Sequence, residues 1–266
     1  MARSGGKLYV VGLGPGSTEL LTPQARAVLA ESQVVVGYRT YLGMIRPLLA
    51  GKEVMESGMM HEVARAAAAL DRAVAGETVA LVSGGDPGVY GMAGLVHEML
   101  MARGWRREEI GVEVVPGIAA LNAAAALLGA PLMHDFAAIS LSDLLTPWET
   151  IAQRIDLAAQ ADLVIALYNP RSRRRFEPLA EARRILLRHR SEETPVGVVQ
   201  AAYREGQRVV VTDLNGLLEQ EIDMQTIVLV GSSRTLVYGG SMVTPRGYGE
   251  KYQLGAEPQE HGEGPV

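Results

Sequence analysis

The chain has 266 residues, a net charge of −5 and no cysteine. Its length allows two small domains or one large one, and the lack of thiols excludes disulfides, thiolate-held iron–sulfur clusters, cysteine zinc sites and cysteine nucleophiles. The acidic balance argues against a nucleic-acid binder, which needs a basic face to neutralise phosphates.

Hydrophobic residues make up 48% of the chain but aromatics only 5%, so Ala, Val, Leu and Gly must build the core, as they do in layered α/β proteins. No apolar run approaches the roughly 18 residues of a membrane-spanning helix, and we expect a soluble cytoplasmic protein.

Short apolar, β-branched runs alternate with Ala-rich stretches from residue 7 to about 231, the pattern of strands with crossover helices. The first half predicts strands at 7–14, 34–38, 53–57, 78–84 and 112–117. The second predicts them at 136–141, 162–169, 195–200, 208–214 and 226–231. Thr22-Pro23 reads as an N-cap with proline at N1, ahead of a stripe of Ala25, Val28 and Leu29. Between His61 and Ala75, Val63, Ala66, Ala67, Leu70 and Val74 follow helical spacing, with Gly76 as the C-cap. Thr146, Pro147 and Glu149 form a capping-box pattern.

The stretch LLGAPLMHD at 127–135 breaks the alternation between the two strand sets. It predicts a two-domain α/β protein, each domain an α/β/α layer with a mostly parallel five-stranded sheet and a cleft between domains. The bounds are 1–130 and 131–250, followed by a polar Gly- and Glu-rich tail, 251–266, expected to be disordered.

Three glycine loops follow predicted strands, where open α/β sheets bind ligands. In the first, Gly12, Gly14 and Gly16 with Pro15 are spaced G-x-G-x-G; the helix starts late, and the second strand ends in Gly37-Tyr38 without the acid that holds a ribose. That departs from the dinucleotide fingerprint, and no lysine follows to make a phosphate loop. A tight turn or a loop that lets a ligand approach backbone are the two readings left. The second loop, SGGDPGVYG at 83–91, surrounds one carboxylate, Asp86, with bare backbone, suited to a flat heterocycle with amide-like edges. In the third, Pro116-Gly117 turns into an alanine-rich helix, whose small side chains serve packing or close approach of a cofactor.

Four of the five residues at 171–175 are arginines. If a helix begins near Pro178, its dipole opposes these cations, which then form a solvated patch or a clamp for substrate carboxylates. Ser140, Ser142 and Asp143 gather between a strand and its helix, readable as a capped turn. The five histidines show no metal-ligand spacing, and no metal is assigned.

Through these loops the chain resembles the tetrapyrrole (precorrin) methyltransferases of cobalamin biosynthesis, from about Lys7 to Tyr248. The strings VGLGPG, SGGDPGVYG and VPGIAAL carry the family resemblance. VVGYRTY, GAPLMHDFAAISLSDLLTPWE, ALYNPRSRRR, REGQ and VTPRGY point to the branch that methylates carbon 17 of precorrin-3B with ring contraction.

The resemblance implies S-adenosylmethionine as methyl donor and a homodimer. It implies donor contacts at Pro15, Gly84, Gly85, Asp86, Val89, Ala119, Ala120, Asn169 and Ala202. Tetrapyrrole contacts would come from Gly12, Gly14, Gly16, Arg171, Arg173, Arg174 and Arg175, and proton handling during contraction from Tyr38, Tyr41, Ser142 and Asp143. The family commonly has Thr-Ala where this chain has Ala119-Ala120, so one hydroxyl contact to the donor is missing.

Overall fold

The computed structural model describes residues 6–106, 109–171 and 177–254. Its packing divides the chain into two compact units. One holds Met1–Leu127 with Val199–Val209 and Ile222–Ile227; the other holds Leu128–Val198, Val210–Glu221 and Val228–Val266. Two segments of the second half therefore pack with the first unit.

The first sheet is built from β1 (Lys7–Gly12), β2 (Val34–Tyr38), β3 (Glu53–Ser57), β4 (Thr78–Ser83) and β5 (Gly111–Val115). The connections carry α1 (Pro23–Glu31), α2 (Arg39–Met44), α3 (Glu62–Val74) and α4 (Met92–Ala102), and α5 (Ala120–Leu128) follows β5. The strand order is β3-β2-β4-β1-β5, every pair parallel.

Because parallel sheets are covered on both faces, their strands read as continuous apolar runs. Leu8 and Val10 of β1 join Leu81 of β4 in a core with Ala66, Ala69, Leu70 and Ala73 of α3, while Tyr9 and Val11 turn to the opposite core with Ala25, Val28 and Leu29 of α1. The three alanines of α3 are fully buried, so the helix axis can lie close to the sheet. Leu70, also fully buried, contributes roughly 1.5–3 kcal/mol by its removal from water.

Local signals placed these helices well at their ends. Thr22 Oγ1 accepts the Ala25 N–H at 3.1 Å, with Pro23 as the first residue of α1. Gly76, at φ 98°, follows the C-cap Ala75, and its N–H returns to the Ala73 carbonyl. The buried face of α3 differs from expectation. Val63 and Val74 are exposed, and Arg65 sits inside, because its guanidinium reaches Ser57 Oγ at 2.8 Å and the Gly58 carbonyl at 2.7 Å.

The second half contributes β6 (Gly129–Ala130), β7 (Phe136–Ser140), α6 (Trp148–Gln160), β8 (Val164–Tyr168), α7 (Glu177–Leu186), β9 (Pro195–Gln200), β10 (Arg208–Asp213), β11 (Thr226–Val230), β12 (Leu236–Tyr238), β13 (Ser241–Val243) and α8 (Tyr248–Lys251). Five of these strands form a sheet of order β10-β9-β11-β8-β7, in which β7 and β8 are parallel and β11 and β8 antiparallel. A third sheet, β12-β13-β6, was not foreseen from sequence. Its strands have two or three residues, too few for periodicity to register.

The capping box at 146–149 does not form. Pro147 is itself the N-cap of α6, with ψ 141° and no side-chain cap bond, so the helix begins one residue later than the pattern suggests. Of the expected disordered tail, Lys251 closes α8, and residues from 255 onward lie outside the described residues.

Candidate functional site

The three glycine loops of the first unit meet backbone to backbone. Gly14 and Gly85 exchange both main-chain hydrogen bonds, 3.0 and 2.8 Å, and the Leu13 N–H donates to the Ser83 carbonyl at 2.9 Å. The third loop closes against the other two: a Cβ on Gly117 would stand 2.3 Å from the Gly85 oxygen, and one on Gly12 would stand 2.6 Å from the Gly117 nitrogen. Both distances are impossible for real side chains, so glycine is required here by contact between loops.

Asp86 is the fastener. One carboxylate oxygen accepts the Gly88 N–H at 2.8 Å and the other the Gly117 N–H at 3.1 Å, so the second and third loops are held by one side chain. The sequence reading offers this carboxylate to a ligand; the structure engages it first with main chain. Gly12, Gly14 and Pro15 are buried in the same packing, and of the three expected substrate-facing glycines it is Gly16 that lines open space. Ala119 and Ala202 are buried, whereas Gly84, Val89 and Ala120 are partly exposed.

Tyr38 and Tyr41, two of the four residues expected to handle protons, pack edge to face with ring centroids 5.3 Å apart, and the Arg65 guanidinium lies 5.8 Å over Tyr38. The ring of Tyr41 also covers the second glycine loop, since a Cβ on Gly84 would fall 2.7 Å from Tyr41 Cε1. Burial raises the Tyr41 pKa above its usual value, opposed by the positive charge of Arg204. Tyr41 is therefore a neutral phenol near neutral pH, a hydrogen-bond donor rather than a base.

Beside this cluster is an open cavity of about 670 Å³, lined among others by Gly16, Ser17, Thr18 and Thr40 and by Tyr203, Arg204 and Gln225 from the segments that pack with the first unit. Arg204 stands out in its wall. A Cβ on Gly16 would lie 2.3 Å from both Cγ and Cδ of Arg204, so the glycine makes room for this side chain. Its Nε is buried without a hydrogen-bond partner, and among the described residues Arg204 makes no salt bridge. The string REGQ carries part of the family resemblance but no local mark of a site, because an arginine flanked by polar residues has no local signature of burial.

In the second unit, Ser140 Oγ accepts from Asn169 Nδ2 at 3.0 Å and from the Ser142 N–H at 3.2 Å, joining the ends of β7 and β8. Asn169 adopts φ 52°, a left-handed conformation that asparagine tolerates better than most residues. Ser142 is partly exposed and Asp143 exposed in the loop after β7. Arg171 lies between β8 and α7, and Arg173, Arg174 and Arg175 fall outside the described residues. Among the described residues no cluster of metal-ligating side chains occurs, and no helix is long and apolar enough to cross a membrane.

Three glycine-to-glycine contacts between loops at the carboxyl ends of parallel strands, with a cavity alongside, mark a candidate small-molecule site on an α/β scaffold. Residues 7–218 match the family of Tetrapyrrole (Corrin/Porphyrin) Methylases, and the chain belongs to that family. It is 53% identical over 96% of its length to a protein named cobalt-factor III methyltransferase from Priestia megaterium, of which it spans 47%. It thus covers about half of that relative.

A precorrin-3B C(17)-methyltransferase from Sinorhizobium sp is 43% identical over 87% of this chain and 91% of its own. The fold is similar to the crystal structure of the methyltransferase CobJ, with TM-score 0.82 and 39% identity over 90% of this chain and all of the other. It is also similar to uroporphyrin-III C-methyl transferase from Thermus thermophilus in complex with S-adenyl homocysteine, with TM-score 0.63 and 29% identity over 85% and 92%.

Proposed function

We propose that this chain transfers the methyl group of S-adenosylmethionine to carbon 17 of precorrin-3B, coupled to contraction of the macrocycle, giving precorrin-4 and S-adenosylhomocysteine. The observation that carries the reading is the fastening of the second and third glycine loops by Asp86, with the first paired to the second through Gly14 and Gly85, in a chain whose relatives are named for this methyl transfer. A polypeptide cradle of this kind offers main-chain N–H and C=O groups to a ligand, and Gly84, Gly85, Val89 and Ala120 are partly exposed beside them.

The donor fits these residues chemically. When bound it supplies an already electrophilic methyl group, so the chain needs no nucleophile of its own. Its task is to align two reactants and exclude water, a contribution of up to roughly 7–11 kcal/mol in favourable cases. In this reading Pro15, Gly84, Gly85, Asp86, Val89, Ala119, Ala120 and Ala202 hold the donor. Tyr41, kept protonated by burial, stands ready to donate to an oxygen during contraction. The roles of Asn169, Ser142, Asp143, Arg171 and the arginines at 173–175 rest on the sequence resemblance, as does the homodimer, and the cytoplasmic location rests on the lack of cysteine and of long apolar runs.

A second substrate has a specific observation in its favour: the relative at 53% identity is named for cobalt-factor III. Incubation with methyl-labelled S-adenosylmethionine and either the metal-free or the cobalt-bearing macrocycle decides between them. Label in a ring-contracted product, located by mass and NMR, supports the reading. Absence of transfer to either macrocycle overturns it.

A further inference from the structure

The loop after β9 holds two non-glycine residues in the left-handed region, Ala201 at φ 48° and Tyr203 at φ 56°. Such conformations persist where surrounding bonds fix them. Here the Ala201 N–H donates to the Gln225 carbonyl at 3.1 Å, the Arg204 N–H to the Ala201 carbonyl at 3.0 Å, and the Tyr203 N–H to Gln207 Oε1 at 2.7 Å. The result is a hydrogen-bonded turn that presents Arg204 to the cavity wall.

What meets the guanidinium there does not satisfy it. The carboxylate that acts on it through charge is Asp223, and Asp223 is already engaged by Gln200 Nε2 at 2.8 Å, the Gln225 N–H at 2.8 Å and Thr226 Oγ1 at 2.9 Å. Glu205 also lines the cavity but is exposed. Burial works against the charged form of Arg204, with the Asp223 carboxylate favouring it, and an arginine stays protonated regardless. A half-buried, unpaired cation lowers the stability of the fold unless a ligand completes it. Ser17, Thr18 and Thr40, in the same wall, add hydroxyl groups that can donate to an anion.

We propose that Arg204 is a substrate-binding residue, the centre of a carboxylate subsite that docks one peripheral carboxylate of the tetrapyrrole in this cavity. The inference rests on the proposed substrate class and assigns a residue to it. Gly16 is part of the device, because the space a side chain would take there is filled by the Arg204 stem.

The test compares wild type with Arg204→Gln, Arg204→Lys and Arg204→Met. Binding of the tetrapyrrole is read by its absorbance change without any methyl donor, and KM for each substrate by label transfer. Arg204→Gln is expected to weaken tetrapyrrole binding about 10- to 100-fold, the range of a lost charge-assisted pair, and to leave the donor KM within about twofold. Arg204→Lys should recover part of this, since the charge remains but the fork is lost. A tetrapyrrole methyl-esterified on its carboxylates should bind wild type and Arg204→Gln alike.

The thermal midpoint of Arg204→Met should equal or exceed that of wild type, because a half-buried cation with no salt bridge among the described residues is removed. Unchanged tetrapyrrole affinity in Arg204→Gln, an equal rise in both KM values, or a clear fall in the midpoint of Arg204→Met overturns the subsite. Tight, Arg204-dependent binding without methyl transfer would overturn the proposed reaction while leaving the subsite standing. Absence of tetrapyrrole binding by wild type would overturn both.

Discussion

The Asp86 carboxylate accepts the Gly117 N–H at 3.1 Å from a loop that belongs to a different strand, while its other oxygen holds its own turn through Gly88. A single side chain thereby sets the spacing of two backbone walls. Replacing it with alanine leaves two donors unpaired, at about 1–3 kcal/mol. Asp86→Ala is expected to lower the unfolding midpoint and to weaken S-adenosylmethionine binding together, with Asp86→Asn intermediate because the amide keeps one acceptor. Calorimetric titration with the donor checks this, and unchanged affinity in Asp86→Ala would remove Asp86 from the site.

Gly117→Ala drives a methyl group to 2.3 Å from the Gly85 oxygen, with backbone on both sides and no flexible side chain to yield. The loops must separate, and we expect a loss of about 2–4 kcal/mol with activity falling in parallel. Gly94→Ala is the matched control. It lies in α4 with open space around the added carbon, so it should stabilise the protein by about 0.5–1 kcal/mol through helix propensity. Denaturant midpoints for the two variants should move in opposite directions.

For Tyr41, burial keeps the phenol protonated beyond its ordinary range. A spectrophotometric titration of wild type minus Tyr41→Phe should show one tyrosine ionising above pH 10, the usual tyrosine value. A difference spectrum with a midpoint at or below that value would contradict the buried environment. If the hydroxyl moves a proton during contraction, Tyr41→Phe should also reduce kcat by at least about tenfold with little change in either KM.

Asp162 supplies a pH-dependent part of stability. Burial raises its pKa, but the Ser233 hydroxyl and N–H, and then Arg190 at 3.0 Å, outweigh that and leave it below the usual aspartate value. A depressed carboxylate pKa stabilises the fold above the unfolded value of about 3.8, and that contribution is lost as pH falls through the lower folded value. Asp162→Asn should therefore flatten the acid limb of the stability profile below about pH 4. The substitution suits φ 59° at this position, so the backbone does not confound the reading. An acid limb as steep as that of wild type would show that other carboxylates control it.

Much of the fold could be read from local chemistry. The strands of the first sheet appear as apolar runs because both faces are covered, and Thr22-Pro23 and Gly76 mark helix ends through bonds to residues a few positions away. Where reading failed, a distant partner had intervened. Arg65 takes a buried position on α3 because Ser57 and the Gly58 carbonyl are there to receive it, and hydrophobic spacing alone places Val63 inside.

For the site the division has the same cause. Sequence by itself determined that glycine loops follow three strands, that one carboxylate lies among them, and that two tyrosines sit three residues apart at the end of β2. Only the tertiary structure decided that Asp86 holds Gly117, that Gly12 and Gly14 are buried by neighbouring backbone while Gly16 faces a cavity, and that Arg204 lies against Gly16 with no salt bridge among the described residues. Backbone conformation and capping depend on near neighbours and leave a local trace. Close approach and charge pairing depend on groups far apart in the chain, which meet only after the sheets have formed.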